Sequence, residues 1–125
     1  MRILIGITGS IAAYKILDLI RMLEKGGYET DVIVTEAGER FIPDLPIRTF
    51  VSGGVYKDQF STDVKHPIHI NLARKSDVFL IGPASLDIIG KMANGICDNL
   101  LLSTFFAFEK RILIAPAMNN VMYQN

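Results

Sequence analysis

The chain has 125 residues, carries thirteen basic and thirteen acidic side chains for zero formal charge, and is half apolar. That length suits one domain with a real core, and a balanced charge without a basic stripe argues against nucleic acid or an anionic membrane as partner. The high apolar share points to surface buried between copies of the chain as well as within one.

The chain opens on RILIGIT (2–8). Gly6 interrupts this run, which is also shorter than the roughly 7 to 15 apolar residues of a secretion leader, so it reads as a strand. IAAYKILDLIRMLEKGG follows, with Ile16, Leu19, Ile20 and Leu23 at helical spacing and Gly26-Gly27 as a stop. ETDVIVT (29–35) is a weaker second strand. Residues 43–68 hold three prolines and no strong period, which predicts short helical turns and loop rather than sheet, facing a ligand or a neighbour.

DVFLIGPA (77–84) and RILIAPA (111–117) are two further strands. Between and around them, SLDIIGKMANG predicts a helix closing at Gly95, and DNLLLSTFFAFEK a helix opened by an Asp98-Asn99 cap. None of the apolar runs alternates with polar residues, so each reads as a strand covered on both faces. The expectation is an α/β three-layer sandwich with a parallel sheet, one domain over residues 1–125. No run approaches the ~18 to 20 residues of a membrane span. A single cysteine, Cys97, precludes an internal disulfide and fits a reducing, cytoplasmic setting. It reads as a small packing side chain rather than a nucleophile.

In open parallel sheets, ligands sit beyond the carboxyl ends of the strands. Three runs end there in small residues: Thr8-Gly9-Ser10, Gly82-Pro83-Ala84-Ser85 and Ala115-Pro116-Ala117-Met118-Asn119. Gly6, Gly9 and Ser10 could seat a phosphate, or form a tight turn capped by Ser10. The spacing matches neither common nucleotide fingerprint. Thr35 offers a second hydroxyl to the same phosphate, or an N-cap to a helix starting at Glu36. The chain's two histidines, His66 and His69, lie close together without a third or fourth ligand, which makes a poor metal site.

Four segments together, GITGSIAAYK, HINLA, PASLDIIGKMANGICDNLL and PAMNNVMY, resemble the flavin-containing cysteine decarboxylases. That family comprises the phosphopantothenoylcysteine decarboxylases of coenzyme A biosynthesis and the peptidyl-cysteine decarboxylases of lantibiotic maturation. The resemblance implies a flavodoxin-like (Rossmann-like) sheet, non-covalent FMN, and a homotrimer, or a dodecamer of trimers, with flavin at the subunit interface. It places Gly9, Ser10 and Thr35 at the flavin phosphate, Ile11 among the cofactor-binding residues, and Pro83, Ala84, Ser85 and Asp87 along the flavin. Asp87 stands where many relatives have asparagine.

The same resemblance makes His69 the active-site histidine, leaving His66 a surface or interface residue, and places Asn119 and Met122 at the substrate. It also implies that a C-terminal substrate flap is missing from these 125 residues. The implied reaction is the FMN-dependent conversion of 4'-phosphopantothenoylcysteine to 4'-phosphopantetheine. Oxidation of the cysteine to a thioaldehyde gives the departing carboxylate electrons a sink. An imidazole, with its ordinary pKa near neutrality, suits the thiol proton, and an asparagine amide can hold the carboxylate without a fixed charge. The alternatives are oxidative decarboxylation of a peptide's C-terminal cysteine, or a flavin prenyltransferase of the same fold. Joint presence of HINLA and PAMN argues against the latter.

Overall fold

A computed structural model of the chain describes residues 1–57, 59–60 and 67–125. The elements run β1 (Arg2–Ile7), a 3-10 turn (Ile11–Lys15), α1 (Ile16–Lys25), β2 (Glu29–Val34), α2 (Glu36–Glu39), α3 (Asp44–Phe50) and β3 (Val55–Tyr56). They continue with α4 (Ile68–Lys75), β4 (Val78–Ala84), α5 (Leu86–Ala93), α6 (Leu100–Ala107), β5 (Arg111–Pro116) and α7 (Asn120–Gln124). His66 lies outside the described residues.

All strand pairs among the described residues are parallel, in the order β3-β2-β1-β4-β5. Leaving aside the two-residue β3, the four longer strands follow the first four positions of the flavodoxin order, and the α/β sandwich expected from the unalternating runs is observed. Ile5 of β1 pairs with Val32 on one side and Leu80 on the other. The chain's order reverses at β1 and β4, so their carboxyl ends flank the switch point.

Two apolar layers enclose the sheet. On one face Leu4, Ile33, Phe79 and Ile81 pack with Leu72 of α4, Ile88 and Met92 of α5, and Leu100 to Leu102 of α6. On the other, Ile5, Ile7, Val32 and Val34 meet Ile16 and Ile20 of α1 and Ile47 of α3. Burying each such side chain contributes about 1.5–3 kcal/mol. The first helix has its expected face and stop: Leu19 and Leu23 border the second layer, and Gly27 closes it at φ +88, a conformation favouring glycine.

Four expectations change. The helical pattern after β1 starts as a 3-10 turn and becomes α-helical only at Ile16. Within 43–68, α3 fulfils the helical expectation, but Val55 and Tyr56 extend the sheet by pairing with Val32 and Ile33. Two residues are too few to show a period, and Asp31 is what fixes them: its Oδ1 accepts from the Gly54 amide at 2.9 Å. The strand β5, expected to be covered on both faces, is open, with Leu113 and Ile114 49% and 44% exposed, because it sits at the sheet edge beyond β4. Cys97 is exposed in the turn between α5 and α6 rather than packed. No helix among the described residues is long and apolar enough to cross a membrane.

At the opposite, amino end of the sheet lies a buried ion cluster. The fully buried Asp31 carboxylate receives Arg2 at 2.7 Å and Lys75 at 3.3 Å. Burial alone pushes Asp31 up, yet the Gly54 amide, the Arg2 guanidinium and Lys75 together hold it below the ordinary carboxylate range.

Candidate functional site

The loops leaving β1 and β4 are stitched together by Thr8, which is 1% exposed. Its hydroxyl donates to the Pro83 carbonyl at 2.5 Å and accepts from the Ser85 amide at 2.9 Å. Gly9 comes next, and a Cβ there would lie 2.7 Å from the Ala37 Cβ. The first loop therefore presses against the turn of α2 at a distance only glycine permits.

The 3-10 turn and the helices α2, α5, α6 and α7 each take a side-chain cap from the residue that precedes them. Ser10 Oγ accepts from the Ala12 amide, Thr35 Oγ1 from Gly38 and Ser85 Oγ from Ile88. Asn99 Oδ1 accepts from Leu102 and Asn119 Oδ1 from Met122. Thr35 is thus an N-cap, and the capping reading of Ser10 holds as well. Neither role removes the hydroxyl proton, which these caps use for no other bond among the described residues. Ser10, Thr35 and Ser85 remain able to donate to a ligand.

Between the loops lies a cavity of about 370 Å³. Thr8 and Gly9 line it from the first loop, Thr35, Glu36, Ala37 and Arg40 from α2 and its cap, and Ser85, Asp87, Ile88 and Lys91 from α5. Asp98 and Asn99 complete it at the start of α6. Lys91 Nζ sits 3.0 Å from Asp98 and 3.5 Å from Asp87. Its hydrogen bond to Asp98, followed by the charge of Asp87, holds the ammonium above the ordinary lysine range, and the bridge ties the first turn of α5 to the start of α6.

Of the residues predicted from sequence, the cavity brings together Gly9, Thr35, Ser85 and Asp87. Ser10 adjoins Gly9 at the edge, and Ile11 projects outward at 77% exposure. Pro83 and Ala84 are buried beneath the rim. Their carbonyls are engaged, Pro83 by Thr8 and Ala84 by the Ala117 amide, so this stretch presents Ser85 and Asp87 to a ligand. His69 lies in the first turn of α4, half-buried and outside the cavity lining. Asn119 and Met122 are exposed beyond β5. Among the described residues, no group of three or more His, Cys, Asp or Glu is placed to hold a metal.

The sequence reading gave Thr8, Arg40 and Lys91 no part in this cavity. Lys91 follows Asp87 by four residues, a helical pairing distance that offered a signal. Thr8 and Arg40 offered none, since their roles depend on segments brought together only by folding.

The model of the flavoprotein family matches residues 1–125, the whole chain. The chain belongs to the flavoprotein family. This flavoprotein is 39% identical over 127 residues to a probable phosphopantothenoylcysteine decarboxylase of Streptococcus mutans, covering 99% of this chain and 71% of that one. It is also 39% identical over 126 residues to the coenzyme A biosynthesis bifunctional protein CoaBC of Vibrio vulnificus, covering 99% of this chain but 31% of that protein. Among solved structures, the peptidyl-cysteine decarboxylase EpiD superposes on the flavoprotein with a TM-score of 0.86 at 31% identity, over 99% of this chain and 73% of the other.

Proposed function

We propose that this flavoprotein binds FMN and decarboxylates the cysteine of 4'-phosphopantothenoylcysteine to give 4'-phosphopantetheine. The observation that carries the reading is the convergence, at one switch point, of capping hydroxyls with free protons and a glycine pressed on α2. This donor set fits a phosphorylated flavin, and the likeness in sequence to the Streptococcus mutans relative, a probable phosphopantothenoylcysteine decarboxylase, supplies the substrate class.

FMN, when bound, would supply an acceptor that takes a hydride from the substrate's cysteine and gives it back once carbon dioxide has left, so that formation of phosphopantetheine involves no net redox change. The chain's own residues do the rest. Gly9, Ser10 and Thr35 hold the phosphate end, and Ser85 and Asp87 flank the remainder of the cofactor. Asn119 spends its Oδ1 on the Met122 amide at 2.9 Å, which leaves its Nδ2 protons to hold a substrate carboxylate, with Met122 as a second substrate residue. His69 takes the thiol proton.

On one chain His69 lies outside the flavin cavity, and this supports an assembly in which a second copy brings its histidine to the site, as in a homotrimer or a dodecamer of trimers. Exposed Leu113 and Ile114 on β5, together with Ile11 and Tyr14, offer apolar surface for such contacts. A small soluble metabolite as substrate fits the cytoplasm.

A second reading is the oxidative decarboxylation of a peptide's C-terminal cysteine, favoured by the close superposition on a peptidyl-cysteine decarboxylase. Visible absorption of the purified protein, followed by carbon dioxide release from phosphopantothenoylcysteine and from a cysteine-terminated peptide, separates the two. Colourless protein that takes up no FMN overturns both.

A further inference from the structure

The charges around the cavity are out of balance for the ligand it is built to take. Two cations, Arg40 and Lys91, and three carboxylates, Glu36, Asp87 and Asp98, line it. Lys91 is committed to Asp98 and Asp87. A phosphate monoester carries close to two negative charges at neutral pH, and hydroxyl and amide donors alone would meet it inside a lining with one negative charge in excess.

Arg40 is the cation left over. It follows Glu36 by four residues, a spacing at which the two commonly pair on a helix. Yet Arg40 takes part in none of the ion pairs among the described residues. Its guanidinium keeps five donors in a planar fork suited to two phosphate oxygens. The contact of Gly9 with Ala37 also draws the phosphate-seating loop against the short helix that Arg40 terminates.

We propose that Arg40 pairs with the phosphate of the flavin and makes the site select FMN over riboflavin. The assignment rests on the flavin reading above. The substrate also carries a phosphate monoester, but Arg40 shares its cavity with Gly9 and Thr35, the cofactor end of the site, and this favours the flavin's.

The test measures equilibrium binding of FMN and of riboflavin to flavin-free protein by fluorescence quenching, for the wild type, Arg40→Gln and Arg40→Lys. In the expected result the wild type prefers FMN, and Arg40→Gln weakens FMN roughly ten- to hundredfold while riboflavin stays within about twofold. Arg40→Lys falls between, because an ammonium keeps the charge without the fork. Equal losses for both flavins would mark Arg40 as structural and overturn the proposal. Unchanged FMN binding, with a raised KM for phosphorylated substrate in the loaded enzyme, would overturn it in favour of the substrate's phosphate. A wild type that binds neither flavin would sink the flavin reading itself, and this assignment with it.

Discussion

Thr8 and Ser85, 77 residues apart in sequence, share one hydroxyl: Thr8 Oγ1 accepts from the Ser85 amide at 2.9 Å while donating to the Pro83 carbonyl. This group aligns the two loops whose residues line the cavity. Thr8→Val keeps the shape and removes both bonds, leaving the Ser85 amide without this acceptor and the Pro83 carbonyl with only the Thr8 amide, at 3.3 Å. The expected cost is about 1–3 kcal/mol, read as a lower urea midpoint, with weaker FMN binding. Thr8→Ser should recover most of both, and a Thr8→Val protein with unaltered midpoint would show that the loops align without this hydroxyl.

Gly9 makes a second, sharper prediction. An alanine there would place its Cβ 2.7 Å from the Ala37 Cβ, and a methyl fixed to backbone cannot swing aside. Gly9→Ala should cost about 1–3 kcal/mol through overpacking and raise the Kd for FMN by displacing α2. The clash is mutual, so Gly9→Ala combined with Ala37→Gly should regain FMN affinity. Failure of the double variant to improve on the single one would refute the steric account.

His69→Asn is expected to leave a yellow, flavin-loaded protein that releases no carbon dioxide. The histidine lies outside the lining of the flavin cavity, so cofactor retention and catalysis separate. Retained turnover would remove His69 from the proton-transfer role. Loss of colour would make it a cofactor residue instead.

The Asp31 cluster governs stability rather than chemistry. Its carboxyl is depressed in the folded state, so its contribution is complete above the ordinary carboxylate value of roughly 4. That contribution disappears as pH falls through the lower folded value. Asp31→Asn leaves Lys75 without this counter-charge and Arg2 with Glu29 alone; since both cations reach solvent, the cost should be about 1–3 kcal/mol at neutral pH. Urea midpoints for wild type and variant, measured from pH 7 downward, should converge in strongly acidic buffer, and a gap constant with pH would exclude the electrostatic origin.

The four longer strands were legible because unbroken apolar runs need cover on both faces, and cap residues stood at the ends of those runs. The strand β3 was not, since Val55-Tyr56 has no periodicity and owes its place to Asp31 and the Gly54 amide. Gly9, Thr35, Ser85 and Asp87 could be found because the ends of strands in a parallel sheet converge. Thr8, by contrast, reads as one more turn residue until Pro83 and Ser85 are folded against it. The open β5 was misread for a related reason: an apolar strand in sequence does not say whether a neighbour lies beyond it.

The hydroxyl caps at Ser10, Thr35 and Ser85 have a consequence for how relatives of this chain diverge. An aspartate would begin each helix equally well, but a carboxylate has no proton to offer and would repel an anion. Folding alone therefore tolerates serine, threonine or aspartate at these positions, whereas holding a negatively charged cofactor tolerates only the first two. A descendant that lost its cofactor would be free to drift to acidic caps without losing its architecture, so the choice of cap records whether the pocket is still in use.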